Sequence, residues 1–161
     1  MVREGNWEYI ERNNCHGIVI IVAMTDDQKV ILVEQYRQPV HKWVIEFPAG
    51  LIRDEKEHRN ESMSQAAKRE LLEETGYRAQ RMVKLLTGPV SSGSSADLVT
   101  MVRAYGLKKI SSGGGDHTER IRVHTIPLAQ MERWLKQMST QGRLIEPKVY
   151  TGLFFLTKSV R

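Results

Sequence analysis

The chain has 161 residues, of which 40% are hydrophobic and 27% charged, values that are ordinary for one soluble globular domain with its own core. We therefore expect a single domain over residues 1–161. The single cysteine, Cys15, excludes an intrachain disulfide framework and a zinc site built from cysteines. The N-terminus lacks the apolar stretch of a secretory signal, and the longest apolar run, Ile18–Met24, is too short to span a bilayer. These features predict a cytoplasmic protein without a membrane partner.

The formal net charge is +5, with lysine and arginine distributed along the whole chain rather than gathered in a basic helix or tail. Aromatic residues make up only 7%, and no aromatic pair forms a recognisable base-stacking platform. Charge of this kind is weak evidence for nucleic acid and suits a small anionic substrate. We expect no nucleic-acid partner.

The first part of the chain predicts β-strands. Residues 6–12 alternate polar and bulky side chains, and residues 17–24 form a β-branched run typical of a strand buried on both faces. The turn TDDQ leads into a second strand over 29–36, so these two strands form a hairpin. A short strand over 43–47 then brings the chain to Pro48-Ala49-Gly50.

One helix is predicted over residues 62–75, because the segment is rich in Ala, Leu, Glu, Lys and Gln and is followed by Gly76, a residue that favours a left-handed C-cap. Glu70, Glu73 and Glu74 stand at positions i, i+3 and i+4, so their carboxylates project from one side of the last turn. They repel each other at a helix end that already prefers cations. A solvated acidic helix end is one interpretation. A bound Mg²⁺ that supplies the missing positive charge is the other.

Downstream, a strand over 77–86, a small-residue loop over 88–97 and a buried strand over 98–104 are predicted. A glycine-rich loop precedes an alternating strand over 119–125, and an amphipathic helix begins near Leu128. For the tail, 147–159, we predict a helix that packs on the core. Strands on either side of one central helix, with further helix at the end, imply a mixed sheet covered on both faces.

The segment RELLEETGY, residues 69–77, resembles the core of the Nudix box, G-x5-E-x7-R-E-U-x-E-E-x-G-U, in which U is a bulky apolar residue. Glu61 lies at the expected distance before Arg69, and Gly50 opens the box. Ten residues stand between Gly50 and Glu61 instead of five. The surplus is charged and hydrophilic, which indicates a lengthened surface loop.

The resemblance implies an α/β fold, the Nudix-type α/β/α sandwich with a central mixed sheet, and Mg²⁺-dependent hydrolysis of a pyrophosphate bond, with Mn²⁺ as an alternative metal. It also implies Glu70 and Glu74 as metal ligands, Glu73 as a ligand or a support for metal-bound water, and the Ala49 carbonyl as a further ligand. Arg69 would belong to the catalytic machinery through an ion pair with Glu61 that fixes the loop to the helix.

Residues upstream of the box resemble ADP-ribose pyrophosphatases, in which Q-Y/F-R and E-x-P-A-G recur. By this resemblance Arg37 would clamp the substrate's phosphates, although a surface charge at a strand end is the alternative. Glu46 would bind a ribose or base, or would be an edge-strand charge. Gly93 and Ser94 resemble the S-P-G-x-S/T loop of the same enzymes, where glycine lets the backbone approach the ligand.

These pyrophosphatases place their general base on a mobile loop, often as E-x-E. Here the loop reads GGGDHTER, in which Glu119 matches the second glutamate and His117 occupies the first position. Asp116, His117 and Glu119 all have suitable chemistry, and Glu119 is our choice.

The predicted function is hydrolysis of ADP-ribose or a similar nucleotide sugar to a nucleoside monophosphate and a sugar phosphate. The alternatives are the same chemistry on GDP-mannose, a dinucleoside polyphosphate or capped RNA, and a sensor that binds a nucleotide sugar without reaction. The family resemblance also predicts a homodimer.

Overall fold

The computed structural model describes residues 1–13, 15–53, 58, 60–115 and 120–158. Its strands are β1 (Val2–Glu4), β2 (Trp7–Tyr9), β3 (Ile18–Met24), β4 (Lys29–Arg37), β5 (Lys42–Glu46), β6 (Ala49–Leu51), β7 (Tyr77–Arg78), β8 (Arg81–Pro89), β9 (Leu98–Tyr105), β10 (Lys108–Lys109), β11 (Ile121–Pro127) and β12 (Leu144–Ile145). Its α-helices are α1 (Met63–Thr75), α2 (Met131–Thr140) and α3 (Pro147–Thr157).

The central sheet is mixed and has eight strands in the order β12-β5-β4-β3-β9-β8, with β11 paired to β4 and β6 paired to β3. β3 and β4 pair only through residues 23–24 and 30–31, and then separate. Beyond that point β5 pairs with β4 while β6 pairs with β3. The chain therefore crosses a split in the sheet at residues 46–49, where the Ile21 N–H donates to the Pro48 carbonyl at 2.8 Å.

Alternate residues of β3 pack against opposite layers, because successive side chains of a strand point to opposite faces. Val19 and Ile21 belong to a buried cluster that includes Leu71 of α1. Ile20 and Val22 belong to a second cluster that includes residues of α2 and α3, namely Met131, Leu135, Met138 and Val149. The predicted α/β/α sandwich with a mixed sheet is confirmed, with α1 on one face and α2 and α3 on the other.

Helix α1 ends at the predicted residue and begins one residue after the predicted start. The Ser62 hydroxyl accepts a hydrogen bond from the Gln65 N–H, and the Gln65 side chain accepts one from the Ser62 N–H, which completes a capping box. Gly76 follows with φ +72°, and its N–H donates to the Leu72 carbonyl at 2.8 Å.

Several strand predictions need correction. Residues 6–12 do not form one strand: β2 covers only Trp7–Tyr9 and pairs with β1 in a hairpin. The predicted strand over 77–86 is two strands, because the chain turns between β7 and β8, and β8 then continues to Pro89, inside the predicted loop. The sequence also missed the short strands β1, β6, β10 and β12. The tail does form a helix, α3, and no helix among the described residues is long and apolar enough to cross a bilayer.

Glu34 on β4 is a buried carboxylate with three side-chain partners, two arginines and a histidine. It lies 2.9 Å from His124 Nε2, 3.2 Å from Arg143 Nε and 3.5 Å from Arg122 Nη1. Desolvation by burial raises the pKa of Glu34, but the hydrogen bonds from His124 and Arg143 outweigh it, so the net shift is downward. This cluster joins β4 and β11 to the segment that follows α2.

We expect Glu34→Gln to lower the free energy of unfolding at neutral pH by about 1–3 kcal/mol, because the donors would then face an amide instead of a carboxylate. Since the pKa of Glu34 is lowered by folding, its contribution is complete above the ordinary value of 4.5 and is lost as the pH falls through the lower folded value. In urea unfolding, the difference in free energy of unfolding between the unmodified protein and Glu34→Gln should therefore be largest at neutral pH and decrease in acid. Glu132→Gln, an exposed change on α2, is the control and should leave both measurements unchanged.

Candidate active site

Strand β6 runs so close to α1 that glycine is required at position 50. A Cβ built on Gly50 would lie 1.9 Å from Glu70 Cδ and 2.1 Å from Glu70 Oε1. The Glu70 side chain therefore lies directly against the β6 backbone. The missing side chain of Gly50 provides the space for this carboxylate.

Glu74 is held by the split in the sheet. Its side chain is buried, with Oε1 3.0 Å from Gln35 Nε2 and Oε2 3.1 Å from the Ala49 N–H. Gln35 lies on β4 and Ala49 on β6, the two strands that separate at this point. The carboxylate thus accepts one hydrogen bond from each side of the split, which lowers the cost of burying it.

Arg69 is the centre of an ion-pair network along α1. Its Nε and Nη2 lie 3.1 and 3.2 Å from the two Glu61 carboxylate oxygens, and its Nη1 lies 2.8 Å from Glu70 Oε1 and 3.1 Å from Glu73 Oε2. Burial lowers the pKa of Arg69, but the hydrogen bonds and charges of Glu61 and Glu70 outweigh it and raise the pKa above its usual range. The predicted Glu61–Arg69 ion pair is present.

The donor chemistry of this region fits a divalent metal ion. Glu61, Glu70 and Glu73 contact a single guanidinium, and helix α1 carries a fourth carboxylate, Glu74, so acidic side chains are in excess. Carboxylates are the ligands that Mg²⁺ prefers. Among the described residues, no three His, Cys, Asp or Glu side chains are already arranged around one metal position. Glu70 and Glu73 instead share Arg69 Nη1. Their roles as metal ligands, and that of the Ala49 carbonyl, stay predictions.

Arg37 and Glu46 contact each other. Arg37 Nε lies 2.7 Å from Glu46 Oε2, with the Arg37 side chain 40% and the Glu46 side chain 11% exposed. Desolvation by burial raises the pKa of Glu46 above its ordinary value, although the hydrogen bond from Arg37 opposes the shift. The alternation along β4 puts Arg37 on the same face as Gln35, which binds Glu74. Two of the four residues predicted to bind substrate thus form one ion pair on the carboxylate side of the sheet.

Gly93 and Ser94 lie in the exposed loop between β8 and β9. In the described part of the chain this loop bonds to the segment after β2: the Ile10 N–H donates to the Ser94 carbonyl at 2.9 Å, and Arg12 Nε lies 3.3 Å from Asp97 Oδ2. No hydrogen bond between described residues connects the loop to the carboxylates of α1. A role in substrate binding stays a prediction for both residues.

The glycine-rich loop is attached to the C-terminal end of α1. The Gly114 N–H donates to the Glu74 carbonyl at 2.8 Å, the Gly115 N–H donates to the Glu73 carbonyl at 3.1 Å, and Lys109 Nζ donates to the Thr75 carbonyl at 2.6 Å. These bonds satisfy helix carbonyls that have no partner within the helix. On the far side of the loop, Ile121 of β11 pairs with Gln35.

The three candidates for the general base, Asp116, His117 and Glu119, lie outside the described residues. The residues before and after them are both anchored beside Glu74, on one side through Gly114 and on the other through Gln35.

Sequence reasoning missed two residues of this region, Gln35 and Lys109. Gln35 belongs to the Q-Y-R motif, which drew attention to its arginine. Its position two residues after Val33, on the same face of the predicted strand, is the signal that was available. Lys109 gave no local signal, because it meets α1 only through the fold.

Comparison with known proteins identifies the family. The NUDIX domain model matches residues 16–140. This chain belongs to the Nudix family. Its relatives include the ADP-ribose pyrophosphatase of Bacillus subtilis, 37% identical over 91 residues, which are 56% of this chain and 46% of the relative. They also include the methanol dehydrogenase activator of Bacillus methanolicus, 34% identical over 122 residues, which are 75% of this chain and 63% of the relative.

Among solved structures, the crystal structure of an ADP compounds hydrolase superposes with a TM-score of 0.67 at 27% identity, covering 87% of this Nudix chain and 70% of that chain. The match supports the sandwich architecture described above. The chain spans 63% and 46% of the lengths of the two curated relatives.

Proposed function

We propose that this Nudix protein hydrolyses the pyrophosphate bond of a nucleoside diphosphate joined to another moiety, with ADP-ribose or a similar nucleotide sugar as substrate. The observation that carries the proposal is the set of carboxylates on the last turns of α1. Glu70 lies against the backbone of Gly50, and Glu74 is fixed from both sides of the split sheet. The names of the B. subtilis relative and of the similar solved structure both refer to ADP compounds.

Glu70, Glu73, Glu74 and the Ala49 carbonyl would hold the divalent ion, Mg²⁺ or Mn²⁺. When bound, such an ion neutralises phosphate charge and orients the reacting groups. The residues of this chain supply the positioning on which phosphoryl transfer depends. Arg69 holds the loop residue Glu61 and the helix residues Glu70 and Glu73 in one network, so it acts as a positioning residue.

Glu119 would take the proton of the attacking water, with His117 and Asp116 as the alternatives. The supporting observation is the anchoring of the flanking segments: Gly114 bonds to the Glu74 carbonyl, and Ile121 pairs with Gln35. A base attached at these two points would act beside the metal ligands.

Arg37 would bind substrate phosphates. Its side chain is 40% exposed and its Nε is engaged by Glu46, which fixes the orientation of the guanidinium. Glu46 would then act through Arg37 or accept a hydrogen bond from a ribose. Gly93 and Ser94 would complete the pocket only if the substrate, or a second copy of the chain, extends to the loop after β8. We also propose a homodimer in the cytoplasm as the working state.

The test is a substrate panel. ADP-ribose, GDP-mannose, diadenosine polyphosphates and capped RNA are incubated with the protein and Mg²⁺ or Mn²⁺, and the released nucleoside monophosphate is identified by chromatography. We expect AMP and ribose 5-phosphate from ADP-ribose, and no product when the metal is chelated. If only another compound of the panel releases a nucleoside monophosphate, that compound replaces ADP-ribose as the proposed substrate. If no compound releases one, the hydrolase proposal is rejected. Light scattering on the same samples measures the oligomeric state.

A further inference from the structure

The entire net positive charge of the chain lies in residues 77–115. This segment contains six lysine and arginine residues and only one acidic residue, Asp97, whereas the rest of the chain contains equal numbers of cationic and acidic residues. The sequence interpretation, in which the basic residues are spread evenly, is therefore incomplete: the individual charges are spread, but the excess is local.

The excess lies on one antiparallel ribbon. It is formed by residues 77–84 and 102–109 in two successive ladders: 77–78 pair with 108–109, with Arg78 opposite Lys108, and 81–84 pair with 102–105, with Arg81 opposite Tyr105. We call these two segments the basic ribbon; its cations are Arg78, Arg81, Lys84, Arg103, Lys108 and Lys109, and it contains no acidic residue. Two like charges directly opposite each other destabilise a sheet, so the Arg78–Lys108 pair is not explained by stability.

The cations of the basic ribbon form no salt bridge with any described carboxylate, whereas half-buried arginines elsewhere do, Arg69 and Arg143 among them. Arg78, Arg81, Lys84 and Lys108 are exposed. Lys109 differs, because it donates to the Thr75 carbonyl and so belongs to the end of α1. Arg78, Arg81 and Lys108 are thus solvent-facing cations of the ribbon. Lys84 stands opposite Val102, which belongs to the buried cluster on the α1 side, so Lys84 lies on the other face of the sheet.

An aromatic ring lies among these cations. Tyr105 is 37% exposed, and the guanidinium carbons of Arg81 and Arg103 lie 4.6 and 5.4 Å from its ring centroid. Arg81 stands opposite Tyr105 in the ladder, and Arg103 precedes Tyr105 by two residues, so all three side chains share one face. Flat guanidinium groups next to an exposed ring offer stacking surfaces to nucleobases.

We propose that the basic ribbon binds single-stranded nucleic acid, with phosphates on Arg78 and Lys108 and a base stacked at Tyr105 and Arg81. An acidic protein would bind the same cations, but it has no bases to stack on the ring and its guanidinium neighbours. The proposal does not depend on pyrophosphate hydrolysis, because the ribbon contains none of the carboxylates of α1.

The test measures fluorescence anisotropy of a short polyuridylate RNA of about 12 nucleotides with a 5′-hydroxyl, in low salt and EDTA, which removes any contribution from a metal-dependent site. We expect Arg78→Glu with Lys108→Glu to weaken binding at least tenfold. The slope of log K against log salt should also become shallower by about 1.4, since each lost phosphate contact on a single strand changes it by about 0.7.

The matched control is Arg133→Glu with Lys136→Glu, which makes the same change in net charge at two exposed positions of α2. Its affinity should stay within about twofold of the unmodified protein. Thermal melting confirms that each variant is folded. If the ribbon reversal does not fold, the exposed pair Arg78→Gln and Arg81→Gln replaces it, with a loss of about fivefold expected.

Tyr105→Leu separates nucleic acid from an acidic protein. It should weaken polyuridylate binding but leave binding of polyglutamate of the same length unchanged. The proposal is overturned if the unmodified chain does not bind RNA, if the α2 control loses as much affinity as the ribbon variant, or if polyglutamate binds as tightly as RNA and Tyr105→Leu has no effect.

Discussion

Glu74→Gln is expected to lower the rate of metal-dependent pyrophosphate hydrolysis by about 10²–10⁴-fold, because stabilisation by a metal is worth several kcal/mol and each 1.36 kcal/mol is about a factor of ten. The two Glu74 oxygens accept from Gln35 and from the Ala49 N–H, so the carboxylate is already fixed before any ligand arrives. Glutamine keeps the shape but removes the charge. Initial rates with ADP-ribose at saturating Mg²⁺ measure the effect.

Glu74→Gln is expected to lower the free energy of unfolding as well as the rate of hydrolysis, so the two effects are measured separately. A glutamine at position 74 has one acceptor oxygen for two donors, so one buried donor loses its partner, at about 1–3 kcal/mol of folding free energy. Urea unfolding measures that loss. Glu132→Gln, the same change on the exposed face of α2, should alter neither rate nor stability. A folded Glu74→Gln protein with full activity would contradict the assignment of Glu74 to the metal.

Local chemistry was sufficient to predict the centre of this site. Helix α1 was predicted from composition and from Gly76, and its observed bounds differ from the prediction by one residue at the start. The i, i+3, i+4 spacing placed the three carboxylates on one side of the helix, and the Glu61–Arg69 pair followed from the box. Each of these features depends on residues that are close in sequence.

What the sequence could not provide depends on tertiary contacts. Strands β6 and β10 have only three and two residues, too few for any periodicity, and they exist because a neighbouring strand or helix end holds them. The bonds from Lys109 and Gly114 to α1 join residues more than thirty positions apart. The split between β3 and β4 has no local signal either, although it is what positions Gln35 and Ala49 around Glu74.

The location of the excess positive charge could not be predicted from the net charge. A count of +5 is the same whether the excess is uniform or confined to one ribbon, and only the pairing of 77–78 with 108–109 and of 81–84 with 102–105 shows that the cations are neighbours in space. The same pairing places Tyr105 between two arginines that are distant in sequence from each other.

Gly50→Ala is expected to reduce hydrolysis at least about 100-fold, an effect of the size that misplacement of a catalytic group produces. The added Cβ would lie 1.9 Å from Glu70 Cδ, so the Glu70 side chain must leave the β6 backbone, and Arg69, which is bonded to Glu70 Oε1, loses part of its network. Overpacking of this kind also costs about 1–3 kcal/mol of stability. Rates with ADP-ribose and urea unfolding are measured together.

The matched control is Gly88→Ala, which adds the same methyl group in strand β8, where nothing lies within 4 Å of the new Cβ. It should keep full activity. Stability alone cannot account for the expected loss, because a folded Gly50→Ala protein assayed well below its melting temperature is still fully native. If that protein hydrolysed ADP-ribose at the normal rate, the position of Glu70 against β6 would not matter for the reaction, and Glu70 would have to be removed from the proposed metal ligands.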